Sequence, residues 1–209
     1  MTMSINPQQM TNAPGTFYKS SKGGWQGMFM ADPAIRNELK SGIVAPTQTA
    51  PLWGGMAITE SLPTTGAESS EVGSVLALAT AVANLTGFTV FDQSHAMINS
   101  PESPVPLASG GGGNGPPALP GGAINFFETG TGARIWVACS QAVANSLSGG
   151  VVNPVVYWDY TNQVLLTSGT GALSVKVVGV DTSGNTPVVV YSNGLATWNY
   201  SGFGALIQI

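Results

Sequence analysis

The chain has 209 residues, of which six are Lys or Arg and ten Asp or Glu; charged residues make up 8% and the net charge is −4, about a third of the usual charged share. Without a cluster of basic residues nothing can neutralise a run of phosphates or hold an anionic bilayer surface, which argues against nucleic acid and membrane as partners. One cysteine and one histidine exclude a disulfide scaffold and a zinc centre built on soft ligands, and no apolar run approaches the ~18 residues of a spanning helix.

Residues 1–24 hold three Gly, two Pro and many Ser, Thr, Asn and Gln. They read as an extended N-terminal arm, ordered only by a partner or by lying across its own domain, with a frayed terminus as the equal alternative. The opening MTMSINPQQM has no cationic segment followed by an apolar block, so no secretory signal is expected. The remainder, 25–209, reads as one β-rich domain interrupted by a Gly/Pro-rich loop at 100–122. Its first stretch, WQGMFMA, alternates as a strand. Asp32-Pro33 then offers an N-cap with proline at the first helical position, and one or two helical turns over Ala34 to Lys40 are predicted to stop at Ser41-Gly42. Met56 to Thr59 is the extended piece of the following Pro- and Gly-punctuated segment. In residues 72–92 an Ala/Leu-rich run has helix propensity but no polar face at helical spacing, so strands at 74–79 and 86–92 are preferred.

Residues 100–122, SPESPVPLASGGGGNGPPALPGG, exceed the ~12–15 residues beyond which structureless loops are uncommon. Their glycine run lacks the Gly-Lys-Ser/Thr ending of a phosphate loop. From 123 onward strand patterns follow one another: INFFE, ARIWVACS, VVYWDY, QVLLTS, LSVKVVGVD, TPVVVYS, LATWNYS and ALIQI, with turns at Ser183-Gly184-Asn185, Asn193-Gly194 and Gly202 and no helix between them. Asn193-Gly194 between alternating runs is a strong hairpin signal, because a type I′ turn needs positive φ at both central residues. The fold class is therefore all-β, a β-sandwich or barrel.

Chemistry is sparse. His95 follows Asp92 and Ser94 in one short segment, where the three side chains cannot converge as a triad. Glu68 and Glu71 lie in a Ser- and Gly-rich turn. Asp159, between Trp158 and Tyr160, either stands beside an aromatic platform of the carbohydrate-binding kind or simply belongs to a hairpin, the favoured reading. DTSGN at 181–185 reads as a turn rather than a calcium loop. Cys139, in an apolar alternating run, reads as a core thiol. No catalytic residue, metal site or cofactor is assigned. Between Lys40 and Arg134 there is no basic residue, and beyond Arg134 only Asp159, Lys176 and Asp181 are charged. Phe17, Tyr18, Trp25, Met28, Phe29, Met30, Leu52 and Trp53 concentrate aromatic and Met side chains in a chain depleted of charge, the signature of interface cores. They are the candidate capsid or intersubunit contacts once the resemblance below is considered; burial in their own domain weighs equally.

Two stretches resemble the tailed-phage capsid cement, or decoration, proteins. VVVYSNGLATWNYSGFGALIQI is similar to the final hairpin of that family, an alternating strand, an Asn-Gly-type turn, Ala-Thr-Trp-Asn and an Ala-Leu-Ile-x-Ile end. GMFMADPAIRNELKSGIVAPTQTAPLWGGMAI is similar to its opening. The resemblance covers roughly a quarter of the chain, and the 100–122 loop has no counterpart in it. It implies a virion structural subunit without active site or cofactor, made in the host cytoplasm. Such a subunit binds the outer surface of the phage head as a homotrimer, alternatively a homodimer, and clamps neighbouring major capsid proteins. The runner-up is a tail or fibre-type receptor-binding β-protein that holds a surface glycan with Trp158, Tyr160 and the long loop. A glycan hydrolase using Asp159 or Glu128 is a distant third.

Overall fold

The computed structural model describes residues 24–30, 35–63, 74–90, 120–147, 154–192 and 195–209. Residues 1–23 of the expected arm, 100–119 of the expected loop, Phe17, Tyr18, Glu68, Glu71 and His95 lie outside the described residues. Period-two alternation of β-branched and aromatic side chains dominates what is described, and it produces twelve strands in two bodies, so the fold is all-β.

Five strands close into a barrel in the order β2 (Lys40–Val44), β4 (Val75–Leu78), β3 (Ala57–Ser61), β5 (Gly87–Val90), β6 (Ala123–Glu128). Only β2 and β4 run parallel. Closure leaves this body without a free edge. Alternation separates its two faces: Val44, Ile58, Leu76, Ile124 and Phe126 cluster with Leu52, Trp53 and Met56, while the intervening Ala57, Phe88 and Phe127 join the core beneath the second sheet. Phe88, Phe126 and Phe127 are fully buried, each contributing about 2–3 kcal/mol of transfer free energy.

The second body is a seven-stranded sheet ordered β10 (Lys176–Val180), β12 (Leu195–Gln208), β7 (Arg134–Cys139), β9 (Val164–Leu166), β8 (Tyr157–Asp159), with β1 (Phe29–Met30) on β7 and β11 (Thr186–Ser192) on β12. Ile135, Val137, Trp158, Leu165 and Ile207 pack its inner face against the barrel.

Several sequence expectations change. The strand expected over 25–31 is two residues long, because Gln26 and Gly27 form a turn. The helical turns expected through Lys40 shrink to a 3₁₀ turn, Ile35–Glu38, and Lys40 opens β2 instead, paired with Phe126. Gly42 does not stop the chain there. A Cβ on it would lie 2.6 Å from Leu76 Cγ, so glycine lets a barrel strand pass close to its neighbour. Gly202, expected as a turn, lies inside the fourteen-residue β12, whose first part pairs with β11 and whose last part pairs with β7 and β10. Its Cβ would meet Val188 Cγ2 at 2.3 Å, so its smallness permits a crossing. A helix, α1 (Gln141–Leu147), occupies a region expected to hold none. Ser140 Oγ accepts from Val143 N at 3.3 Å, an N-cap bond, and buried Val143 and Ala144 anchor a helix too short to stand alone. Strands β4 and β5 fall inside the two segments preferred at 74–79 and 86–92, and the Ser192–Leu195 pair closes the expected hairpin around residues 193–194.

Candidate functional site

Where barrel and sheet meet, a cleft of about 540 Å³ opens between the segment around Trp53, the β8–β9 turn and the β11–β12 hairpin. Its position is set by one glutamine. Gln163 ends the β8–β9 turn with φ of 57°, the one positive φ among the described non-glycine residues, and its side chain is buried. Its Oε1 accepts from Ala57 N of β3 at 2.9 Å and from Trp158 Nε1 at 3.2 Å, while Nε2 donates to Tyr160 O at 2.8 Å. A single side chain thus satisfies a barrel N–H, an indole N–H and a turn carbonyl, pinning the sheet to the barrel. Thr89 does similar work beneath the cleft, its Oγ1 donating to Trp53 O at 2.5 Å and accepting from Met56 N at 3.0 Å.

Asp159 holds the turn that Gln163 closes. Its Oδ1 accepts from Thr161 N and Asn162 N, each at 2.9 Å, and Oδ2 accepts from Asn162 Nδ2 at 2.7 Å. The Asn162 bonds keep its carboxyl below the usual range, so Asp159 is a turn carboxylate of the expected hairpin kind. Trp158 is 4% exposed and stands edge-on to Phe88 with ring centroids 5.2 Å apart; Tyr160 is half-buried, and among the described residues its hydroxyl has no partner. An exposed aromatic platform at 158–160 is therefore not present.

The remaining ionisable groups also serve structure. Cys139 is a buried thiol, pushed up to about 12 by burial and then by the Asp181 charge, which makes it inert as a nucleophile. Asp181 accepts from Ser183 Oγ at 2.5 Å and Thr186 Oγ1 at 2.7 Å. Burial alone would raise its carboxyl, and those bonds outweigh it to leave the carboxyl low. Lys40 and Glu128 form an ion pair across β2 and β6, raising the amine and lowering the carboxyl chiefly through their mutual hydrogen bond. Among the described residues no group of three or more His, Cys, Asp or Glu comes together.

The aromatic and Met contacts expected from sequence are found mostly inside their own chain. Met28, Phe29, Leu52 and Trp53 are buried; Phe29 meets Phe127 edge-on at 5.2 Å. Trp25 and Met30 are half-buried, with Trp25 stacked on Trp198 at 6.3 Å. The apolar side chains left outside include Val190 (42% exposed), Tyr191 (39%) and Tyr200 (49%), all on the β11–β12 hairpin. Sequence reasoning passed over them because a strand pattern alone does not say which face stays uncovered. Compared with protein families, with curated proteins and with solved structures, the chain matches none of them.

Proposed function

We propose that this chain is a virion structural protein, a decoration subunit that binds the outer surface of a phage head and clamps neighbouring major capsid proteins as a homotrimer. The observation that carries the reading is the hairpin of β11 and β12. It exposes Val190, Tyr191 and Tyr200 within a stretch, Thr182 to Ile209, that contains no charged residue. Exposed aromatic and aliphatic side chains without neighbouring charge fit a surface that other subunits cover. In this reading residues 1–23, with Phe17 and Tyr18, supply a second contact, and several weak contacts per oligomer add through avidity. The receptor-binding alternative loses the aromatic platform on which it rested, since Trp158 is buried.

The test is the copy number of the protein in purified particles, with the mass of the free protein measured by light scattering. Icosahedral repetition predicts on the order of hundreds of copies and a three-subunit mass. A few copies per particle overturns the proposal.

A further inference from the structure

The side of β11 away from β12 has no strand beside it among the described residues. Strand alternation turns the N–H and C=O of every second residue to that side, and the bonds of Gln26 identify which. Gln26 N donates to Pro187 O at 2.9 Å, and Val189 N donates to Gln26 Oε1 at 2.8 Å, so residues 187, 189 and 191 face the edge. Among the described residues nothing bonds Val189 O, Tyr191 N or Tyr191 O there. Open space runs beside them, since the cleft of about 540 Å³ is lined by Val188, Val189, Val190 and Tyr191 in succession.

The chain's own N-terminal stretch reaches this edge and then leaves it. In a paired strand a main-chain carbonyl would take Val189 N; here a side chain does. The main chain has turned to β7 instead. Gly27 N donates to Trp136 O at 2.7 Å, and Gly24 lies so close to the Trp136 indole that an added Cβ would stand 2.2 Å from its Nε1. Residues 24–27 therefore occupy the edge only as far as Val189.

We propose that the open part of this edge, Val189 to Tyr191, receives residues Thr16–Ser20 of a second copy of the chain as an added strand. Exposed Val190 and Tyr191 point to opposite faces of β11, so a strand that covers both needs apolar side chains on both of its own faces. In residues 1–23 the one adjacent aromatic pair is Phe17-Tyr18, within the β-forming run Thr16-Phe17-Tyr18, and Pro, Gly, Asn and Gln punctuate what precedes it. Main-chain bonds supply attachment and the flanking side chains supply choice. Six residues carry the chain from Tyr18 to Gly24 and extended they span roughly 20 Å, enough to reach an adjoining copy. Head-to-tail donation closes as a trimer and reciprocal exchange as a dimer. The inference rests on the self-association in the capsid reading and on no other part of it.

The experiment uses the full chain. Light scattering is expected to give the parent a mass of two or three subunits. Tyr191→Pro removes an N–H that β12 does not use and should give the mass of one subunit. So should the double variant Phe17→Asp, Tyr18→Asp, which decides the matter if the proline variant does not fold. Cross-linking identifies the donor: chains carrying Tyr191→Cys are refolded together with chains carrying Phe17→Cys or Tyr18→Cys and oxidised, the native Cys139 being buried. A disulfide between two chains is expected in the mixture alone, because opposed side chains of adjoining strands come close enough to form one. A monomeric parent, or a folded variant that keeps the parent's mass, overturns the proposal. So does a disulfide between two Tyr191→Cys chains, which would give the edge to a second β11, or one closing within a single chain that carries both cysteines. Hundreds of copies on the particle from a monomeric free protein would overturn this inference and leave the decoration role standing; an arm-exchanged oligomer absent from particles would do the reverse.

Discussion

Replacing Gln163 by Leu tests whether one side chain holds the sheet to the barrel. The substitution keeps volume and leaves the positive φ unchanged, so its effect isolates the hydrogen bonds. Two buried donors, Ala57 N and Trp158 Nε1, lose their shared acceptor, and Tyr160 O loses its donor. An orphaned buried donor costs ~1–3 kcal/mol, so two together cost about 4 kcal/mol, and the added leucine surface returns about 1 kcal/mol. The net is about 3 kcal/mol, and at ~2–4 °C per kcal/mol for a chain of this size the melting temperature should fall by about 10 °C. A double-mutant cycle with Trp158→Phe sharpens the test, because Phe has no N–H to leave unpaired. In the Trp158→Phe background the loss from Gln163→Leu should shrink by about 1–2 kcal/mol. Thermal melts and urea titrations of the four proteins measure both quantities. Additive losses, or a Gln163→Leu variant melting within ~2 °C of the parent, would refute the argument.

Gly202→Val should be severely destabilising, by about 2–4 kcal/mol, since a Cβ there lies 2.3 Å from Val188 Cγ2 and 2.9 Å from Thr186 O; a melt near that of the parent would contradict the crossing geometry. Cys139, with its thiol pushed up to about 12, should resist iodoacetamide at pH 8 in the native protein and react on unfolding, and labelling at the rate of a free thiol would show it to be accessible. Asp159 and Asp181 have folded carboxyls lowered from 3.8. Their contribution is therefore present above that value and lost as pH falls through the lowered one. Melting temperature should drop in that acid window, and the Asp159→Asn, Asp181→Asn double variant should drop less; equal slopes would remove the assignment. Lys40→Ala should cost under about 1 kcal/mol, because the side chains of its ion pair are 45% and 38% exposed, and a larger loss would mean that the pair is buried by something the chain itself does not supply.

What sequence revealed and what it hid divide along physical lines. Alternation finds strands wherever one face is buried, so β6, β7 and the C-terminal strands were legible, as was the thiol of Cys139 within its apolar run. Glycine misled twice, at Gly42 and Gly202, because a missing Cβ serves close approach as well as turning, and only the neighbouring strand decides which. Helix α1 was hidden because seven residues carry too little periodicity, its stability coming from Val143 and Ala144 against the core. Gln163 gave no signal at all. A glutamine two residues after Thr161 in a turn looks solvated, and its value lies in reaching Ala57, distant in sequence by 106 residues. The aromatic and Met residues at 25–56 showed the opposite failure: composition identifies apolar surface to be covered, and it is blind to whether the chain's own sheet or another subunit covers it.

That distinction relocates the meaning of the low charge. Edge strands are ordinarily guarded by lysine, proline, bulges or covering loops. The edge of β11 away from β12, with which no described strand pairs, uses the uncharged devices. Pro187 sits at a register shift between Thr186 and Val188. Gln26 then crosses that edge, donating its N–H to Pro187 O at 2.9 Å and accepting from Val189 N at 2.8 Å through its side chain. Among the described residues the guard ends there. Strand alternation places the N–H of Tyr191 on the same edge, beside the exposed Val190 and Tyr191 side chains and with no charge from Thr182 to the C-terminus. A lysine in β11 would have protected the edge against every neighbour alike. A glutamine and a proline protect the half next to the core, and among the described residues no strand or side-chain charge covers the half next to the hairpin tip, so the sparse charge is informative mainly at this one strand.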